Sequence, residues 1–130
     1  MIYEVPKVAV IGCGYWGKNL VRNFSELGAL AAVVDGRPEV SSAMSQQFSV
    51  PAVSFEQVLA DPSIAGVVIA APAEFHASLA LQAFDVKKHV YVEKPIALSL
   101  EEGNRMQSAS LTAQKVLMVG HLLRYHPAFE

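Results

Sequence analysis

KVAVIGCGYWG, residues 7–17, reads as a buried strand, a tight turn and the start of a helix. Val8, Ala9, Val10 and Ile11 form a short apolar run, and Gly12-x-Gly14-x-x-Gly17 follows at once. The spacing is that of a phosphate-binding turn. Gly12 permits the sharp turn off the strand, Gly14 lacks a Cβ and lets a pyrophosphate approach the backbone, and Gly17 lets the helix pack closely on the strand. The helix N-terminus adds unpaired N–H donors and the positive end of its dipole. Three glycines at this spacing are a weak signal alone. Here a strand precedes them, an apolar helix follows, and Asp35 closes the next apolar run, 18 positions after Gly17, which is the context dinucleotide binding requires.

The chain has 130 residues, enough for one domain with a real core, and residues 1–130 are read as a single dinucleotide-binding unit. It is 52% hydrophobic and 17% charged, with mean hydropathy +0.32, which is apolar for a domain of this size. No apolar run reaches membrane-spanning length, and Met1-Ile2-Tyr3-Glu4 lacks the basic start of a signal peptide, so a cytoplasmic location is expected. Net charge is −2, with Lys and Arg scattered, and neither a nucleic acid nor a membrane is an expected partner. Cys13 is the one cysteine, so no internal disulfide forms, and no zinc-binding spacing is present.

Outward from the glycines, apolar runs and helical patterns alternate. Strands are expected at Val5 to Ile11, Leu30 to Val34, Ala52-Val53, Gly66 to Ala70, Val90 to Val92 and Val116 to Val119. The first helix carries Trp16, Leu20, Val21, Phe24 and Leu27 at helical spacing, read as core, and stops at Gly28. Pro38 opens a second helix whose inward face is Val40, Ala43, Met44 and Phe48. Phe55 to Ala60 is a short helix. Glu74 to Phe84 is another, with Phe75, Leu79, Ala83 and Phe84 as its stripe. Ser99 is an N-cap, with Glu102 as capping-box partner, for a helix to about Leu111. The alternation predicts an α/β fold: a Rossmann-type doubly wound parallel sheet with helices on both faces.

Ligands of such a sheet bind at the carboxyl ends of the strands. Gly12 to Gly17, Asp35, Ala71 to His76 and Glu93 to Pro95 all fall there. Cofactor contacts are therefore expected from Gly12, Gly14, Tyr15, Trp16 and Gly17 in the fingerprint, although packing also accounts for Trp16. Asp35 is placed to accept hydrogen bonds from the adenosine ribose, and its charge would repel a 2′-phosphate, which favours NAD over NADP. Arg37 reads two ways, as a residue that accommodates that phosphate or as a solvated loop charge.

GCGYWG, VVDGRPE, AAPAEFH, VYVEKPIALSLEE and VGHLLRYHPAF, in that order along the whole chain, resemble the glucose–fructose oxidoreductase, inositol dehydrogenase and rhizopine catabolism family. The EKP triplet is the most specific element. The resemblance implies an NAD(P)-dependent oxidoreductase of sugars, cyclitols or nucleotide sugars. It makes Lys94 the active-site lysine and puts Pro72, with the adjoining Ala71, and His76 at the nicotinamide side. Glu93 would steady Lys94 or bind the cofactor ribose. His76 is the second candidate for a catalytic role, with a structural role as the alternative reading. The family usually has a glycine before its fifth strand, where this chain has Asp85-Val86-Lys87-Lys88, a departure expected to affect only a turn. The family's second α/β domain, which supplies most substrate contacts, is absent from these 130 residues.

Lys94 has a chemical reason to matter. Alcohol oxidation sends a hydride to the nicotinamide and a proton from the hydroxyl, and a lysine beside that oxygen polarises it as a cation or takes the proton when burial lowers its basicity. A non-catalytic NAD sensor is the alternative reading, and it has no need of such a lysine. His121, Arg124 and His126 face a substrate or the missing domain, and His89, at the far end of the sheet, is structural. The Lys94–Pro95 bond is a candidate for the cis form. An apolar domain of this kind is expected to be a homo-oligomer, and to bind NAD without oxidising sugars by itself.

Overall fold

Five parallel strands form one sheet in the order β2-β1-β3-β4-β5. They are β1 (Val8–Ile11), β2 (Leu30–Val34), β3 (Gly66–Ile69), β4 (His89–Glu93) and β5 (Leu117–Gly120). The helices between them are α1 (Tyr15–Glu26), α2 (Pro38–Phe48), α3 (Phe55–Ala60), α4 (His76–Asp85) and α5 (Leu100–Ala113). This computed structural model describes residues 5–120; Met1–Glu4 and the expectations placed on His121, Arg124 and His126 lie outside the described residues.

Side chains alternate across a strand, so the register sorts the sheet into two rows. Val33, Val10, Val68, Tyr91 and Met118 stand side by side on one face. Val10, Val33 and Val68 pack with Leu20 and Val21 of α1 and Met44 of α2. Ala32, Ala9, Val67, Val90 and Leu117 form the row behind them. They meet Val58 of α3, Ala77, Ala80 and Phe84 of α4 and Met106 of α5. Both faces of the central strands are thus buried, which is what their uninterrupted Val/Ile/Ala runs require. Phe84 is 2% exposed, and burying a side chain of that size stabilises by about 1.5–3 kcal/mol. Met118 at the edge is 55% exposed, because α1 and α2 reach only as far as Tyr91.

Several expectations shift. Strand β1 begins at Val8, and Ala52 makes a single bridge to Val33 in place of a sixth strand. Trp16 and Leu27 are exposed, since the ends of α1 overhang the sheet; Ala43 is exposed too. Phe75 belongs to a 3-10 turn, Ala73–Phe75, ahead of α4, and points out of the core. Ser99 does accept from the Glu102 N–H, at 3.1 Å, but the Glu102 carboxylate accepts from Leu98, at 3.3 Å, instead of closing the box on Ser99. The capping box that forms is at Ser54 and Gln57.

The turn before β4 holds more than expected. Lys87 adopts φ +62, where a glycine would be unstrained. Lys88 is buried, and its ammonium donates to the Asp61 carbonyl at 2.8 Å and the Ile64 carbonyl at 2.6 Å. Burial pushes the Lys88 ammonium down, with the nearby Asp61 charge opposing. No helix among the described residues is long and apolar enough to cross a membrane.

Candidate functional site

The chain leaves β1 for β2 on one side and then returns to lay β3 on the other. Strand order reverses there, and a crevice opens above the carboxyl ends of β1 and β3. Its walls are Gly12, Gly14, Tyr15 and Trp16 after β1, Val34 to Arg37 after β2, and Ala70, Ala71, Pro72 and Phe75 after β3. Of the residues the sequence assigns to a cofactor, Gly12, Gly14, Tyr15, Trp16, Asp35, Arg37, Ala71 and Pro72 line this crevice, and Gly17, His76, Glu93 and Lys94 do not.

The three fingerprint glycines do different work. A Cβ on Gly12 would lie 2.6 Å from the Ala71 amide, and Gly12 has φ +93, so the β1 turn presses directly on the β3 turn. A Cβ on Gly17 would overlap the Gly12 carbonyl. Gly14, by contrast, faces open space, and the nearest atom to its missing Cβ is Arg37 Nη2 at 3.5 Å. Gly14 is also the N-cap of α1 and offers no side chain to the first-turn N–H groups, which stay available to an anion. An open cradle beside free helix N–H donors fits a dinucleotide diphosphate.

Asp35 stands at the end of β2. Its Oδ2 accepts from the Cys13 N–H at 2.8 Å and from Arg37 Nη2 at 3.1 Å; its Oδ1 accepts from the Arg37 N–H at 2.9 Å and Arg37 Nε at 3.0 Å. Burial pushes this carboxyl up, but the Arg37 guanidinium and the two backbone donors outweigh it and hold Asp35 below the ordinary carboxylate range. Arg37 is therefore an ion-pair partner, where the sequence left open a solvated charge. Four donors fill the carboxylate's capacity. Cys13, buried beneath the turn, has its thiol pushed up to about 11 by burial and by the Asp35 charge, which disfavours the nucleophilic thiolate.

Tyr15, Trp16 and Phe75 are the exposed aromatic side chains among the described residues, and all three line this crevice. Tyr15 and Trp16 meet edge to face at 5.1 Å. Phe75 keeps the spacing of the core stripe, but it sits in a Pro-led turn ahead of the helix proper, and that proline is the signal that separates it from the core.

The second cluster lies one strand over. Lys94 is exposed at the end of β4, and the Lys94–Pro95 bond is cis. Glu93 Oε1 accepts from the Tyr91 hydroxyl at 3.4 Å. His76 is 2% exposed, with Nε2 2.7 Å from the Ala71 carbonyl oxygen and Nδ1 2.7 Å from that of Pro95.

Residues 6–121 match the family described as "Oxidoreductase family, NAD-binding Rossmann fold", that of glucose–fructose oxidoreductase, inositol dehydrogenase and rhizopine catabolism. The chain belongs to this family. It is 33% identical over 128 residues to an inositol 2-dehydrogenase/D-chiro-inositol 3-dehydrogenase of Lacticaseibacillus casei, covering 93% of this chain and 37% of that protein. The solved UDP-N-acetylglucosamine 3-dehydrogenase of Acidithiobacillus ferrooxidans superposes with TM-score 0.90 at 27% identity, over 98% of this chain and 40% of the other. A Synechocystis biliverdin reductase, solved with biliverdin and NADP+, superposes with TM-score 0.85 at 26% identity, over 91% and 38%. The chain thus spans about two-fifths of the length of these relatives. It is an NAD(P)-binding Rossmann domain of an oxidoreductase family, and none of the three relatives is named as a sensor.

Proposed function

We propose that this chain is the cofactor-binding part of a dehydrogenase that moves hydride between NAD and a hydroxyl-bearing carbon of a sugar, cyclitol or nucleotide sugar. The observation that carries the reading is the open cradle at Gly14, between the free N–H groups of α1 and the carboxylate of Asp35. Bound in the crevice, the nicotinamide supplies hydride acceptance and donation. The first turn of α1 holds the diphosphate. Asp35 receives the adenosine ribose as Arg37 swings aside, and the carboxylate favours NAD over NADP. Arg37, once released, moderates that preference. Ala71 and Pro72 wall the nicotinamide half, with the aromatic rims of Tyr15 and Trp16 opposite. Lys94 polarises the substrate hydroxyl oxygen or accepts its proton, and Glu93 steadies Lys94.

Lys94 is exposed among the described residues, so the dry surroundings that strengthen its action come from a second wall. Positioning the reacting carbon also needs that wall. In the full protein it is the substrate domain or another copy in a homo-oligomer. The test is to incubate the 130-residue chain with NAD and a panel of sugars, cyclitols and nucleotide sugars while following NADH absorbance. The expected result is cofactor binding with no appreciable turnover. Turnover that disappears in Lys94→Ala would dispense with the second wall, and turnover that survives that change would remove the role given to Lys94.

A further inference from the structure

His76 is tied to both halves of the site while lining neither. It is the first residue of α4, and the rest of that helix is anchored in the core by Ala77, Ala80, Ala83 and Phe84. The β3–β4 ladder ends at the Ile69–Val92 pair. Beyond it the two chains part, one into the crevice turn at Ala71, the other into the Lys94–Pro95 turn. Among the described residues, the hydrogen bonds that join these two turns both pass through His76. One ring nitrogen is 2.7 Å from the Ala71 carbonyl oxygen and the other is 2.7 Å from the Pro95 carbonyl oxygen. A carbonyl only accepts and a neutral imidazole carries one N–H, so the ring donates to one of the two carbonyls and packs its other nitrogen against the second, the tautomer deciding which. With both nitrogens engaged and 2% of its surface exposed, the ring has no atom left for substrate chemistry.

We propose that His76 is a positioning residue, a clamp that fixes the Lys94 turn against the nicotinamide end of the crevice. The proposal rests on the reading of the crevice as a dinucleotide site. The imidazole is suited to the task because its two nitrogens lie on different edges of one rigid ring. An anchored helix therefore sets the spacing between two turns that the sheet itself no longer holds. The adenosine half, bound by Gly14 and Asp35, lies outside its reach. The clamp thus governs the nicotinamide half alone.

The test uses two ligands and two variants of the 130-residue chain. ADP-ribose carries the adenosine, diphosphate and second ribose but no nicotinamide. His76→Leu should weaken NADH by about ten-fold, the value of one net hydrogen bond, and leave ADP-ribose within about two-fold. His76→Gln, whose single amide nitrogen can reach one of the two carbonyls, should recover part of the NADH affinity. An unchanged NADH affinity in His76→Leu, or equal losses for both ligands, would overturn the clamp. Should His76→Leu fail to fold, the wild-type chain gives a second reading by nuclear magnetic resonance. A slowly exchanging ring N–H, assigned by its loss in His76→Gln, is expected, and a ring that exchanges freely with solvent would overturn the proposal. A wild-type chain that binds neither ligand would instead remove the dinucleotide reading, whatever the ring signal shows.

Discussion

Alanine at each of the three fingerprint glycines should fail in a different way, because each owes its missing side chain to a different neighbour. A Cβ on Gly17 would overlap the Gly12 carbonyl oxygen and lie 2.8 Å from its carbon. Both atoms are backbone and cannot rotate aside, so α1 must lift off the turn. One methyl forced into a packed contact costs about 1–3 kcal/mol, and an immovable neighbour puts Gly17→Ala near about 3 kcal/mol. Gly12→Ala meets the Ala71 amide at 2.6 Å and adds roughly 1–2 kcal/mol for its left-handed φ of +93. Gly14 has φ −75 and only the end of the Arg37 side chain near it. Gly14→Ala therefore costs the fold under about 1 kcal/mol, the difference between glycine and alanine as N-cap. In a chain of this length 1 kcal/mol is about 3–5 °C in Tm. The expected fall is about 10–15 °C for Gly17→Ala, more for Gly12→Ala, and under about 5 °C for Gly14→Ala. Ligand binding should reverse the order. The Gly14 methyl stands in the diphosphate cradle, and a similar packing penalty there weakens NADH by about 10–100-fold. Thermal melts followed by circular dichroism, paired with NADH titrations, read both axes. A Gly14→Ala chain that melts with Gly17→Ala, or that binds NADH like wild type, would refute the division of labour.

Three further outcomes follow from the turn before β4 and the first residue of that strand. Lys87→Gly relieves the φ of +62 and should raise the unfolding free energy read by urea titration by about 0.5–1 kcal/mol; an unchanged midpoint would show that the turn carries no such cost. Lys88→Met leaves the Asp61 and Ile64 carbonyls without their donor and should destabilise by about 2 kcal/mol, a loss that denaturant titration would show to be absent if those carbonyls find water instead. His89 Nδ1 accepts from the Val116 N–H at 3.0 Å, and burial, then the Lys115 charge, hold its pKa below 6.5. The folded state thus binds this proton less well than the unfolded chain. Its contribution to stability is complete above about pH 6.5 and is lost as pH falls from there through the lower folded value. Stability measured from pH 7.5 to 5 should fall less in His89→Phe than in wild type, and parallel pH profiles would contradict this.

The fold was legible because its central strands are buried on both faces and therefore print as unbroken apolar runs between glycine and proline punctuation. Asp35 and the Lys94 turn could be placed because strand ends can be counted. Periodicity could not show where an element leaves the sheet. Trp16 and Phe75 keep helical spacing with the core but stand on turns that overhang it, so they line the crevice. Ala52-Val53 has strand character and a single bridge, since the segment touches β2 at one point only. The remaining misses depend on partners distant in sequence. Lys88 is buried because two carbonyls converge on it from 24 and 27 residues away, and His76 is claimed by a carbonyl 19 residues on. Arg37 sits two residues from Asp35, and yet only the bend of the turn folds its guanidinium back onto the carboxylate.

Isothermal titration of the chain with NADH and NADPH, repeated on Asp35→Ala, tests the central claim most directly. The crevice at the β1–β3 switch point should take up one NADH per chain, bind NADPH more weakly, and lose that discrimination when the Asp35 carboxylate is removed. A chain that takes up neither dinucleotide, or whose preference is indifferent to Asp35, would contradict it.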